Sequence, residues 1–213
     1  MVKAVLFDLD GTLVDTLRDL CDAANAVLTA NGFPTHDTEA YRTFVGNGAK
    51  TLMMQSSGVT EDGRLESLYR AFLKQYDAHC LDKVTPYDGV LATLDSLTAK
   101  GYRLGVVTNK PHEQAEKIVS HLFGNRFGCV FGNRPDSYPR KPDPTVVRLA
   151  AKALSVKTEE CVFVGDSDVD VVTAHNAGIP CYGCAFGFRG EEELLKAGAD
   201  SIVYSFTELQ KIG

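Results

Sequence analysis

The sequence predicts an α/β fold: a doubly wound, mainly parallel sheet with a helical segment inserted after its first strand. Three observations carry the prediction. The chain opens on an apolar, partly β-branched run, Ala4-Val5-Leu6-Phe7, too short for a helix and closed by Asp8-Leu9-Asp10-Gly11, as a buried strand delivering a polar end to a crevice would be. Residues 15–83 then hold helical periodicity and no convincing strand pattern. From Gly89 onward, helical and strand patterns alternate, the signature of parallel strands joined by crossover helices.

In order, Leu17, Leu20, Ala24, Val27 and Leu28 recur at helical spacing, and Asn31-Gly32-Phe33-Pro34 stops that helix with glycine and proline in the expected order. Helix is expected again over 49–55 and over 64–79, where Leu65, Leu68, Tyr69, Phe72, Leu73 and Tyr76 form a stripe that reads as packing. Linkers are expected near Asp15 and at Thr85-Pro86-Tyr87-Asp88-Gly89. They divide the chain into a sheet-bearing core, 1–14 and 86–213, and an insert, 15–85. Within the core, helices are expected over 90–100, 112–122, 145–154, 169–176 and 191–196, and strands over 102–108, 129–131, 161–164, 181–185 and 201–203. In such sheets ligands bind beyond the carboxyl ends of the strands, so the residues standing there are the informative ones.

With 213 residues, 44% of them hydrophobic and 23% charged, the chain can bury a full core. A formal net charge of -6 offers no basic stripe for nucleic acid or for an anionic membrane surface. Lys3, Asp8 and Asp10 interrupt any apolar run at the start, so neither a signal peptide nor a membrane span is expected there, and the expected location is cytoplasmic. The six cysteines lie mostly in apolar patterns, as free buried thiols of a reducing compartment do. Cys181-Tyr-Gly-Cys184 has no second pair to complete a zinc site and falls in a strand-like run.

Strand alternation sends Asp8 and Asp10 the same way, where two carboxylates repel unless a cation sits between them. Mg²⁺ is the hard ion suited to such oxygens. Taken alone, the stretch also reads as a strand ending in a turn, with Asp and Gly supplying turn chemistry. Two further strands end in polar residues, Thr108-Asn109-Lys110 and Gly165-Asp166-Ser167-Asp168-Val169-Asp170, and Arg140-Lys141-Pro142-Asp143-Pro144 sets a lysine before a proline-marked helix start. Individually, Thr108 could simply end its strand, Lys141 could be a solvated charge, and Asp166 and Asp170 could cap a helix.

Together and in this order, the four stretches resemble the phosphatase branch of the haloacid dehalogenase superfamily, over nearly the whole chain. That resemblance implies a Rossmann-like core with a small α-helical cap domain, Mg²⁺ as cofactor, and an aspartyl-phosphate intermediate. It makes Asp8 the nucleophile and Asp10 the acid that protonates the leaving alkoxide and later activates water. Thr108, the Asn109 backbone, Gly11 and Lys141 would hold the phosphate; Asp8, the Asp10 carbonyl and Asp166 would ligate the metal. Asp170 would orient Lys141 or hold a metal-bound water. A carboxylate attacking a phosphate dianion meets repulsion of about 4 kcal/mol per charge pair at ~4 Å and moderate dielectric, which is why the chemistry requires Mg²⁺ and a lysine.

Within the superfamily, Asp10 argues against dehalogenases, which resemble this chain but carry an aromatic residue there, and against phosphonoacetaldehyde hydrolases, which carry a small apolar one. Lys50 is expected on an exposed helical face rather than as a Schiff-base lysine, and Gly165 stands where similar sugar-phosphate mutases have glutamate. The insert, with Phe44-Val45-Gly46-Asn47-Gly48-Ala49, resembles the cap of phosphoglycolate phosphatases, which would place Asn47 and Gly48 on a loop reaching the substrate; they could also simply start a helix. The implied activity is phosphomonoester hydrolysis of a small phosphorylated metabolite, with 2-phosphoglycolate the leading candidate and a sugar phosphate, nucleotide or pyrophosphate, or a sugar-phosphate mutase activity, the alternative, by a monomer or homodimer. A phospho-accepting signalling module is the non-enzymatic alternative, although such modules put the acceptor mid-chain and lack a helical insert.

Overall fold

A computed structural model describes residues 1–212. Its centre is β1, Ala4–Phe7, buried at every position and flanked on both sides by parallel strands. The sheet continues with β4 (Arg103–Pro111), β5 (Cys129–Asn133), β6 (Cys161–Gly165), β7 (Cys181–Cys184) and β8 (Ser201–Val203), in the spatial order β5-β4-β1-β6-β7-β8. Every pairing is parallel; Val5 lies opposite Leu104 on one side and Val162 on the other. The chain winds outward from β1 through β4 and β5, then returns to the other flank for β6, β7 and β8, so the topological switch falls at β1.

Alternation along the strands builds two cores. Val5, Phe7, Val106 and Val164 face α5 (Val90–Ala99) and α6 (His112–Phe123), whereas Ala4, Leu6, Val107 and Phe163 face α7 (Thr145–Ala153) and α8 (Asp168–Ala177). Strands buried on both faces explain the unbroken apolar runs in the sequence. Cys181 and Cys184 belong to opposite cores, so they do not form a paired dithiol, and all six cysteines are free. Short α9 (Glu191–Ala197) and a 3₁₀ turn at Phe206–Lys211 complete the layers. Among the described residues, no helix is long and apolar enough to cross a membrane.

Between β1 and α5 the chain forms four helices, α1 (Leu17–Ala30), α2 (Thr38–Phe44), α3 (Ala49–Ser57) and α4 (Asp62–His79). The apolar faces of α1 and α4 pack on each other and run into the core on the Val5 and Phe7 face of the sheet. Sequence spacing anticipates three of these helices and not α2. That helix is only seven residues long, buries Tyr41 alone, and starts at Asp37, whose carboxylate accepts a hydrogen bond from the Ala40 N–H. The two linkers are also more ordered than their composition suggests. Val14–Asp15 (β2) and Thr85–Pro86 (β3) pair antiparallel, a two-residue ladder too short to leave a periodic signal. Strand β4 runs past Thr108 to Pro111 with a register shift after Val107, and that irregular tip carries Thr108, Asn109 and Lys110.

Candidate active site

The tips of β1, β4 and β6 converge with the loop before α7, and the side chains they deliver are buried although polar: Asp8, Thr108, Asn109, Lys141, Asp166 and Asp170. Lys141 Nζ lies 3.0 Å from Asp8 Oδ1 and 2.6 Å from Asp170 Oδ1, so one cation bridges two carboxylates. Burial weakens the Lys141 ammonium, but Asp170 and Asp8 outweigh it and hold it above its ordinary range. Asp8 is also pushed up, to about 6, by burial first, with Lys141 opposing and Asp170 adding to the rise. Its Oδ1 also accepts from the Leu9 N–H at 2.7 Å, and the Thr108 hydroxyl is within hydrogen-bonding reach of the carboxylate.

Asp166 is fixed by the Thr12 hydroxyl (3.1 Å, to Oδ1) and the Phe188 N–H (2.8 Å, to Oδ2). Two glycines give it room. A Cβ on Gly11 would stand 2.2 Å from Asp166 Oδ2, and one on Gly187 would stand 2.2 Å from its Cβ. Gly11 therefore supplies space; its N–H is donated to the Val14 carbonyl at 3.0 Å and is not free for a phosphate, in contrast to the expected binding role. Asp170 is saturated, with Lys141 on Oδ1 and the Asp166 N–H, Ser167 N–H and Ser167 hydroxyl on Oδ2. It thus closes the first turn of α8 and orients Lys141 at once.

The carboxylates of Asp8 and Asp10 do not share a cation, as strand alternation suggests they would. The strand ends at Phe7, so the period of two stops applying, and Asp10 Oδ1 turns to the Thr16 hydroxyl (2.7 Å) and Lys110 Nζ (2.8 Å). Asp8, Asp166 and Asp170 instead each place a carboxylate oxygen within 4.8 Å of the others, and with Asp170 taken up by its own donors, Asp8 and Asp166 are the two left to face a cation. Burial, with the charges of Asp170 and Asp8, pushes Asp166 well above the usual carboxylate range. Hard, crowded, buried oxygens in a cradle kept open by two glycines fit a small divalent cation.

A pocket opens above this cluster, with Leu20, Val45, Leu52, Phe72, Tyr76 and Phe188 as its apolar wall. Gly48 also lines it, whereas Asn47 does not and is held by its carbonyl, which accepts from Arg140 Nη1. Core side chains grip the loop 43–47 by its backbone: Arg189 Nη2 donates to the Thr43 and Val45 carbonyls (3.2 and 2.9 Å) and Asn109 Nδ2 to the Gly46 carbonyl (3.1 Å). Lys50 pairs with Glu66 on the surface, as expected of an exposed helical lysine. Lys110 and Tyr76 escape the sequence reading, because a lysine after a strand reads as solvated and Tyr76 sits inside an apolar stripe.

The haloacid dehalogenase-like hydrolase family model matches residues 5–184. A phosphoglycolate phosphatase of Xanthomonas campestris is 33% identical over 202 residues, covering 94% of this chain and 91% of its own. An N-acetylmuramic acid 6-phosphate phosphatase of Pseudomonas aeruginosa is 35% identical over 206 residues, covering 95% and 90%. Among solved structures, a protein from Clostridium acetobutylicum described as a predicted phosphatase superposes with a TM-score of 0.90 at 30% identity, covering 99% of this chain and 97% of that one.

Proposed function

This chain belongs to the haloacid dehalogenase-like hydrolases and is one of their phosphatases, and from that premise we propose that it is a Mg²⁺-dependent phosphomonoesterase working through Asp8. The observation that carries the reading is the meeting of Asp8, Thr108, Lys141 and Asp166, from four separate segments, at one buried point under a pocket. Asp8 attacks phosphorus and becomes esterified to it. Thr108 and the Asn109 N–H hold the phosphoryl oxygens, and Lys141 offsets their charge, a balance worth about 4 kcal/mol per ion pair at ~4 Å in moderate dielectric. Asp10 protonates the departing alkoxide and then draws a proton from the water that hydrolyses the acyl phosphate. Asp8, Asp166 and the Asp10 carbonyl would hold Mg²⁺, which neutralises charge on the transferring group and its attacker. Helices α1–α4, residues 15–85, act as a cap that shuts out water and reads the leaving group.

The leading substrate is 2-phosphoglycolate, in keeping with the names of several of the similar proteins. The muramic acid 6-phosphate enzyme is as similar, so a sugar phosphate is the alternative that a specific comparison supports. The mutase alternative meets an obstacle: a Cβ at Gly165 would stand 2.3 Å from Asp170 Cγ, leaving no room for a glutamate. The test is turnover of p-nitrophenyl phosphate and a panel including 2-phosphoglycolate, sugar phosphates, nucleotides and pyrophosphate. Activity is expected to vanish with EDTA and with Asp8→Asn; activity that survives both sinks the mechanism, and the highest kcat/KM names the substrate.

A further inference from the structure

Lys110 is buried to 1% of its side-chain surface, yet no role in phosphate or metal binding falls to it. A buried ammonium costs several kcal/mol unless its donors are taken, on the order of the penalty for any desolvated ion, so its partners are telling. They are Asp10 Oδ1 at 2.8 Å in the core and the Tyr76 hydroxyl at 2.6 Å on α4, with Nζ also 4.5 Å from the centre of the Tyr76 ring. Tyr76 is in turn stacked on Phe72, its centroid 5.5 Å away and the rings 6° from parallel. A rigid aromatic pair on the helical insert therefore fixes a lysine of the sheet, and the lysine fixes a carboxylate.

Asp10 is held through one oxygen only. Oδ1 accepts from both Thr16 and Lys110, whereas no protein donor among the described residues reaches Oδ2, and the side chain keeps 12% of its surface at the pocket. With Oδ1 taken by two donors, Oδ2 is the oxygen left to meet a substrate in the pocket. We infer that Lys110 is a positioning residue, which holds Asp10 with Oδ2 toward the ester oxygen, and that Tyr76 sets Lys110, so proton delivery depends on α4 being seated. As Asp8 forms its bond to phosphorus and the ester P–O bond breaks, the Oδ2 proton passes to the departing alkoxide, and Lys110 then faces the ionised Asp10. The inference rests on the Asp8 and Asp10 roles proposed above and adds to them the residues that aim the Asp10 carboxyl.

An acid matters for a poor leaving group and little for a good one, so the readout is kcat/KM for ethyl phosphate relative to p-nitrophenyl phosphate. Ethyl phosphate has no group beyond its ester for Lys110 to bind directly. Lys110→Met is expected to lower that ratio by about 100-fold, the scale of general acid catalysis. Tyr76→Phe keeps the ring and the Phe72 stack, should fold with a Tm lowered by no more than the loss of one buried hydrogen bond, and is expected to lower the ratio by roughly 3–10-fold, the worth of that bond. Equal loss on both substrates in Tyr76→Phe, or in a folded Lys110→Met, overturns the inference and assigns these residues to structure alone. Wild-type protein that turns over neither ester, or whose turnover survives Asp8→Asn, overturns the phosphatase reading instead.

Discussion

At Gly187 the difference between a hydrogen and a methyl group decides where Asp166 can stand. The Cβ of an alanine would lie 2.2 Å from Asp166 Cβ and 2.5 Å from the Gly11 carbonyl oxygen, neither of which is the loose end of a flexible chain. Gly187→Ala is therefore expected to cost about 1–3 kcal/mol of stability by overpacking. It should also weaken Mg²⁺ binding roughly 10–100-fold, the usual effect of disturbing the support of a metal ligand. Thermal melts and calorimetric titration with Mg²⁺ check the two parts separately.

Among the elements, the tip of β4 does the most varied work. Thr108 faces Asp8, Asn109 spans to the insert, and Lys110 turns to Asp10, all within a strand end whose register slips after Val107. The Asn109 amide donates to both the Gly46 and Lys141 carbonyls, each at 3.1 Å, which fixes its orientation, since the reverse would set oxygen against oxygen twice. Asn109→Ala keeps the backbone N–H and removes this tie, worth about 1 kcal/mol per hydrogen bond. Hydrogen exchange is expected to speed up at residues 43–48 while the amides of β1 and β6 stay protected. These elements were unequally legible in the sequence. Asp8, Asp166 and Lys141 could be found because strand tips ending in acids, and a lysine before Pro142, are rare enough in combination to specify a site. The α2 helix, the β2–β3 ribbon and the Lys110 to Tyr76 link could not, because two to seven residues leave no period and a buried ion pair depends on partners 34 to 100 positions apart. Asp10 was misdirected for a related reason: alternation was extended past the residue where the strand stops.

For the molecule as a whole, the price of the site is paid in pH-dependent stability. Asp8 titrates near 6 in the folded chain against an ordinary 3.8, because burial outweighs Lys141, and Asp166 is displaced in the same direction. Between about pH 4 and pH 6 the folded, metal-free protein thus binds protons that the unfolded chain has released, so its stability falls as pH rises through that window. The loss attributable to Asp8 is on the order of 1–3 kcal/mol. In EDTA the Tm is expected to drop from pH 5 to pH 7.5 and to recover with millimolar Mg²⁺ at pH 7.5. In Asp8→Asn the drop should be smaller, since one of the groups that cause it no longer titrates.

The paired linkers have an evolutionary corollary. Because Val14 stands opposite Pro86 and Asp15 opposite Thr85, the polypeptide departs from the sheet and comes home through adjacent rungs of one small ladder. Whatever lies between those rungs can be lengthened, shortened or exchanged for a foreign module while β1 and α5 keep their places. The sheet that carries Asp8 and the helices between the rungs are thereby free to diversify at different rates.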